Sequence, residues 1–190
     1  MATARNLFRI FVLVASMLIA APTHATPRDE LVIGMTQYPS TLHPGIETML
    51  AKTYVIRLAH RPFTTYDADW KLICMLCVEL PTFENGLARR EPLKEDKGHG
   101  KEGVAVTYTI QPEARWGDRV PVTTKDVLFT WEVGKHPQSA IANGELYRRI
   151  LSIDVIDDKT FTLHIDRVTF DYNAINDFEI LPEHLERARF

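Results

Sequence analysis

Cys74-Met-Leu-Cys77 holds two thiols at the spacing of a redox dithiol. Such a pair works best at the start of a helix, where the dipole lowers the pKa of the first thiol. Here both cysteines lie inside an apolar run, Leu72 to Val78, with no glycine or proline between them. The expectation is two buried, inert cysteines. Redox catalysis is the sharper alternative, and a structural disulfide is open to a protein in an oxidising compartment. The seven histidines form no i, i+4 pair and no His-Glu-x-x-His unit, so no metal site is expected. There is no Gly-x-Ser-x-Gly elbow and no phosphate-cradling glycine run. Carboxylate pairs such as Asp157-Asp158 fall in turns, where they hydrogen-bond the backbone. No catalytic constellation emerges, and the chain reads as a non-enzyme that needs no cofactor.

The N-terminus says where such a protein works. Arg5 and Arg9 precede an apolar stretch, Ile10 to Ala21, and Thr23-His24-Ala25 presents small residues at the two positions a signal peptidase reads. This predicts a cleavable secretory signal over residues 1–25, with cleavage near Ala25. The stretch is too short to span a bilayer, which takes about twenty residues, and no later apolar run is long enough either. Stable membrane insertion is not expected. Losing the two arginines takes the net charge from −3 to about −5. That mild acidity argues against nucleic acid, which needs a clustered basic surface. About 165 residues remain, enough for one core or two small domains.

The elements are set by periodicity. Glu30 to Thr36 reads as a buried strand, closed by Tyr38-Pro39-Ser40. Glu47 to His60 has helical spacing, with Leu50, Tyr54 and Leu58 on one stripe and Pro62 as the stop. Phe63 to Trp70 is a strand pair or turn, and the polar stretch Glu91 to Gly103 is an exposed loop. Val104, Val106, Tyr108 and Ile110 alternate with Ala105, Thr107 and Thr109, the pattern of a half-buried strand. Thr123 and Asp126 have the spacing of a capping box for a helix to Gly134, with Val127, Leu128 and Trp131 on its buried face. Ser152–Ile156 and Thr160–Asp166 flank Asp157-Asp158-Lys159 as a hairpin. Phe178 to Leu181 is a short strand or turn, followed by a helix opened by Pro182. Trp70, Trp116 and Trp131 each sit in an apolar pattern and are expected in the core. The fold class is mixed α/β.

The stretch Tyr108 to Trp131 (YTIQPEARWGDRVPVTTKDVLFTW) resembles the extracellular solute-binding proteins of family 5, the dipeptide- and oligopeptide-binding components of ABC importers. Their pattern is an aromatic strand, a turn with Asp-Gly and Pro, then a Thr-Ala-x-Asp-Val helix start. Two positions depart from it: Arg119 takes the glycine place and Thr124 the alanine place. Leu31 to Pro44, Leu151 to Ile165 and Ile180 to Leu185 are similar to three further segments of the family, in the same order. The resemblance implies a type II periplasmic-binding-protein fold, with two lobes closing on a ligand and a small domain inserted in the first. On that likeness residues 26–46 begin the first lobe, 47–163 form the inserted α/β domain and 164–190 return to the first lobe. Relatives run to roughly three times the mature length, so the chain is expected to be an N-terminal fragment lacking the second lobe.

The implied function is capture of a peptide-like solute in the periplasm and its delivery to an inner-membrane ABC permease, by a monomer. Thr36, Gln37 and Tyr38 are the candidate ligand contacts. They end the first strand, where open α/β sheets place ligands, and an extended peptide can add there as a further strand. Two other readings stay open: an exported thiol–disulfide protein using Cys74 and Cys77, and a ligand-free accessory module that docks on a transporter or sensor.

Overall fold

Alternation along Val104–Ile110 becomes the centre of a four-stranded antiparallel sheet in the computed structural model, which describes residues 32–47, 49–93, 102–139, 141 and 143–190. The strands are β3 (Ala88–Pro92), β4 (Glu102–Thr109), β5 (Ile150–Val155) and β6 (Thr160–Ile165), in the spatial order β3-β4-β6-β5. Register pairs Val104 with Ile165, Val106 with Leu163 and Tyr108 with Phe161, so all six face one core. The reverse face carries a polar ladder. Thr107 and Thr162 share a hydroxyl contact at 2.9 Å, and Thr109 meets Thr160 at 3.4 Å. A second, two-stranded sheet is the hairpin of β1 (Thr64–Tyr66) and β2 (Leu72–Cys74). Phe63, just before it, packs edge-on against Phe161 and Phe178, with centroids 5.6 and 6.1 Å away.

Two longer helices complete the layer. Helix α1 is Leu50–Ile56 and α2 is Thr124–Lys135; α3 (Gly144–Arg149) leads into β5, and α4 (Glu183–Glu186) runs on as a 3₁₀ turn over Arg187–Arg189. The capping box at α2 forms as expected. Lys125 N–H donates to Thr123 Oγ1, and Thr123 N–H donates to Asp126 Oδ2 at 2.8 Å. The other Asp126 oxygen takes the backbone N–H of Glu183, the first residue of α4, at 2.9 Å. Next along the helix, the Thr130 hydroxyl accepts from Leu181 N–H at 2.8 Å and donates to the Asp126 carbonyl at 2.6 Å. Both side chains are buried, and together they bind the chain's last irregular segment to α2. That segment brings Ile175, Phe178 and Ile180 into the same core as Phe63 and Tyr108. It is further held where Tyr108 Oη donates to the Asn173 carbonyl and Ile175 N–H donates to Thr64 Oγ1, both at 2.9 Å.

Several expectations need correction. Residues 32–36 are exposed and form no strand; strand geometry is a property of pairing, which an apolar run alone does not supply. Residues 1–31, with the expected signal and the start of that strand, lie outside the described residues, as does 94–101 of the polar loop with His99. Helix α1 turns the opposite face inward: Ala51 and Lys52 are buried while Leu50, Tyr54 and Leu58 are exposed. Trp70 is 83% exposed at the tip of the β1–β2 hairpin, with positive φ, and Trp116 and Trp131 are only half buried. Trp131 nevertheless has a structural bond, its indole N–H shared by the Tyr147 and Ile150 carbonyls at 3.2 Å each. Phe129 and Thr130, not Leu128, complete the buried face of α2. Phe178–Leu181 form no strand, yet Phe178, Ile180 and Leu181 are buried.

The departure at Arg119 leaves the turn intact. Arg119 adopts φ +74°, the conformation that favours glycine. It is held there by its N–H bond to the Trp116 carbonyl and by Val120 N–H on Asp118 Oδ1.

Asp126→Ala removes a carboxylate that satisfies two helix starts, and is expected to cost about 2–4 kcal/mol. Asp126→Asn keeps one acceptor and is expected to cost about half as much. Urea midpoints at constant slope read both values.

Candidate functional site

Thr36, Gln37 and Tyr38 stand on the surface, at the start of an irregular segment running to Glu47. Tyr38 is 91% exposed, so it does not pack over Pro39 as a simple structural role would require. The three side chains line none of the larger clefts. The loop from His43 to Glu47, by contrast, is anchored tightly. Gly45 N–H donates to His43 Nδ1 at 3.1 Å, which leaves His43 Nε2 to donate to Glu186 on α4 at 3.2 Å. Lys52, on α1, places its buried ammonium against the carbonyls of His43, Pro44, Ile46 and Glu47, the first three at 3.1, 3.3 and 2.5 Å. A buried charge needs this many acceptors to offset lost hydration. The demand explains why α1 presents Lys52 inward and leaves its apolar stripe outside. Sequence reasoning missed Lys52, and a lone lysine inside a helical pattern carries no signal that would have found it.

The far end of α1 is held by charge. Glu179 receives Arg57 Nη2 at 2.8 Å and faces His60 Nδ1 at 2.9 Å. His60 Nε2 meets the Ile180 carbonyl at 3.1 Å. Only an N–H can face that carbonyl, so the neutral ring would aim its bare Nδ1 at the Glu179 carboxylate; the imidazolium aims a proton there instead, in an ion pair whose angle falls short of a hydrogen bond. Burial by itself lowers the His60 pKa, but Glu179 and the Ile180 carbonyl more than offset this and raise it above 6.5. A similar pair ties α4 to the turn at Asp118, where His184 Nε2 lies 2.7 Å from the carboxylate. That contact, with the Val120 N–H, holds Asp118 below the usual carboxylate range.

Cys74 and Cys77 are joined as a disulfide with Cα atoms 5.2 Å apart, which overturns the expectation of two free buried thiols. Cys77 is buried and Cys74 half buried. The four-residue loop from Cys74 to Cys77 is paired on both sides. Met75 N–H donates to the Phe63 carbonyl at 2.9 Å, Gln111 N–H to Leu76 O at 2.9 Å and Val78 N–H to Thr109 O at 2.8 Å. The cysteines open no helix, so the dipole that would acidify a catalytic thiol is absent here. Among the described residues no group of three or more His, Cys, Asp or Glu is placed to hold a metal ion, and no helix is long and apolar enough to cross a membrane. His164 sits between two carboxylates, Glu91 at 2.9 Å and Asp154 at 3.1 Å, linking strands β3, β6 and β5.

Most of the chain superposes on part of several solved structures. An oligopeptide-binding protein from Thermus thermophilus, solved with a pentapeptide, is 29% identical and superposes with a TM-score of 0.65, over 78% of this chain and 24% of its own. The fold is that of a periplasmic binding protein. A Campylobacter jejuni protein, NikZ, solved with Ni(L-His), shares it at 17% identity and a TM-score of 0.64, over 85% of this chain and 29% of its own. AppA of Bacillus subtilis, solved with a nonapeptide, gives 18% and 0.57, over 76% and 26%. The chain thus spans about a quarter of the length of the structures it matches. No family model and no curated protein matches the sequence. The mixed α/β architecture expected from the sequence is the fold these structures share with this chain.

The His60–Glu179 contact makes stability depend on pH in one direction. Its contribution is fully present below the unfolded histidine value, about 6.5, and is lost as pH rises through the higher folded value. Urea midpoints are therefore expected to fall between pH 6 and 8, and the part due to this pair to vanish in His60→Gln. For the disulfide, alkylation of native protein is expected to label no cysteine. Reduction, which reopens only a four-residue loop, is expected to cost about 2 kcal/mol.

Proposed function

We propose that the protein is the solute-binding component of an ABC importer, working outside the cytoplasm, with peptide-like solutes as its ligands. The observation that carries the reading is the match to the Thermus thermophilus oligopeptide-binding protein at 29% identity over most of the chain. Peptides lead as ligands because that structure and the Bacillus subtilis one were solved with peptides. In this reading residues 26–46 begin a first lobe, and the body that residues 47–163 and 164–190 build around one core belongs to it. A second lobe closes on the ligand by a hinge motion and hands it to a membrane permease.

Thr36, Gln37 and Tyr38 are the first-lobe contacts. Their exposure leaves backbone N–H and C=O groups open to an extended ligand, and the Lys52 and His43 bonds hold the adjoining loop in place without tying down these three residues. Rigid support beneath an exposed recognition segment limits the ordering cost of binding. No step of this function makes or breaks a covalent bond.

Cells lacking the gene are expected to lose uptake of labelled di- and tripeptides, and unchanged uptake of every peptide tried would sink the proposal. Replacing the gene with Tyr38→Ala is expected to weaken uptake affinity about tenfold while leaving the thermal midpoint of the purified protein unchanged, because Tyr38 contributes almost no buried area. The 190 residues by themselves are expected to bind no peptide below about 100 μM, since one wall of a cleft cannot enclose a ligand. Submicromolar calorimetric binding by that chain would exclude the two-lobed reading.

A further inference from the structure

A cleft of about 440 Å³ opens between the disulfide loop, the turn after β4 and the end of α1. Its apolar surface comes from Met75, Leu76, Trp116 and Ile180. Its positive charge comes from Arg61, Arg115 and His60; neither arginine has a carboxylate within ion-pair distance among the described residues, whereas His60 is paired with Glu179. Arg115 spends one N–H on the Arg119 carbonyl at 3.2 Å and keeps the rest of its fork. Lys159 stands behind it, its ammonium 2.7 Å from the carbonyl of Val122, another lining residue. Burial and the like charge of Arg115 hold that ammonium below its usual value. Glu113 is the one carboxylate lining the cleft, so positive charge prevails locally in a protein whose net charge is −3. The Trp116 indole N–H is buried and has no acceptor among the described residues, although the ring lines the cleft.

We propose that this cleft binds a small carboxylate carrying an apolar or aromatic group, with the carboxylate on the Arg61 and Arg115 guanidinium groups and the apolar part against Trp116 and Met75. Guanidinium groups suit this role because their planar forks match a carboxylate and they remain charged at every working pH. A ligand anion relieves the repulsion between Arg115 and Lys159. The floor is preorganised: Met75 and Leu76 are held by the disulfide and by the Phe63 and Gln111 backbone bonds, and Ala114 N–H closes the turn on the Gln111 carbonyl at 3.0 Å. A preformed floor lowers the ordering cost of binding. This site lies apart from Thr36–Tyr38, and its ligand need not be the transported solute.

The probe is N-acetyl-L-phenylalaninate, with its uncharged amide and plain acetate as comparisons, titrated into purified protein by calorimetry and by the NMR signal of the Trp116 indole. A ligand of this size is expected to bind with a Kd of about 0.5 mM. The amide and acetate are each expected to bind at least about tenfold more weakly, since each lacks one of the two contacts. The double variant R61Q/R115Q is expected to lose the acid's binding by a similar factor at unchanged thermal midpoint, and Tyr38→Ala to leave it as it was. Equal affinity for acid and amide, no binding at 10 times the expected Kd, or unchanged binding in R61Q/R115Q would each overturn the proposal. Loss of binding in Tyr38→Ala with retention in R61Q/R115Q would place the probe at the other segment and overturn it too.

Discussion

One buried carboxylate organises this molecule. Asp126 closes the capping box of α2 with one oxygen and receives the first N–H of α4 with the other. The four leading N–H groups of any helix lack intrahelical partners, and a buried helix start without acceptors is costly. Two such starts are served here by a single side chain, so the end of the chain is located by the same group that begins the central helix. Thr130, one turn on, repeats the device with Leu181. The segment between them has no regular secondary structure and still delivers Phe178 and Ile180 to the core.

The other fixed points share a common logic, in which a charge is placed where backbone oxygens or a counter-charge wait for it. Lys52 gathers four carbonyls, His60 and Arg57 share Glu179, and His43 reaches Glu186. Surface ion pairs in isolation are worth little. The pairs at Glu179 and Glu186 are half buried and join residues far apart in the chain, so their worth lies in deciding which segments meet. The result is an anchored loop, His43 to Glu47, that follows the exposed segment Thr36–Tyr38. The disulfide adds a second rigid edge beneath the arginine-lined cleft.

The elements legible in the sequence were those with local causes. The Val104–Ile110 alternation, the Asp157-Asp158-Lys159 hairpin and the Thr123–Asp126 cap all form where periodicity and capping chemistry put them. The misreadings share a different cause. The apolar stripe of α1 faces outward because Lys52 needs the carbonyls of a loop that folds over it, and hydrophobic spacing cannot register that demand. Trp70 is exposed because it occupies a positive-φ turn position, which overrides its preference for burial. Arg119 retains the turn that glycine makes easily, held by bonds from both sides. Of the candidate site, Thr36–Tyr38 read in the sequence as the end of a strand that does not form, and neither their exposure nor the anchoring of the loop after them was legible.

By itself, the sequence determined the strands that alternate, the helix that is capped and the order of motifs resembling a binding protein. These depend on neighbours within a few positions, where local geometry decides the outcome. Only the tertiary structure decided that Cys74 and Cys77 are bonded, that Asp126 serves two helices, and that Arg61 and Arg115, far apart in the chain, line one cleft. Each of these is a meeting of distant residues, and the energy that selects such a meeting is supplied by the closed core, not by either residue's own surroundings in the chain.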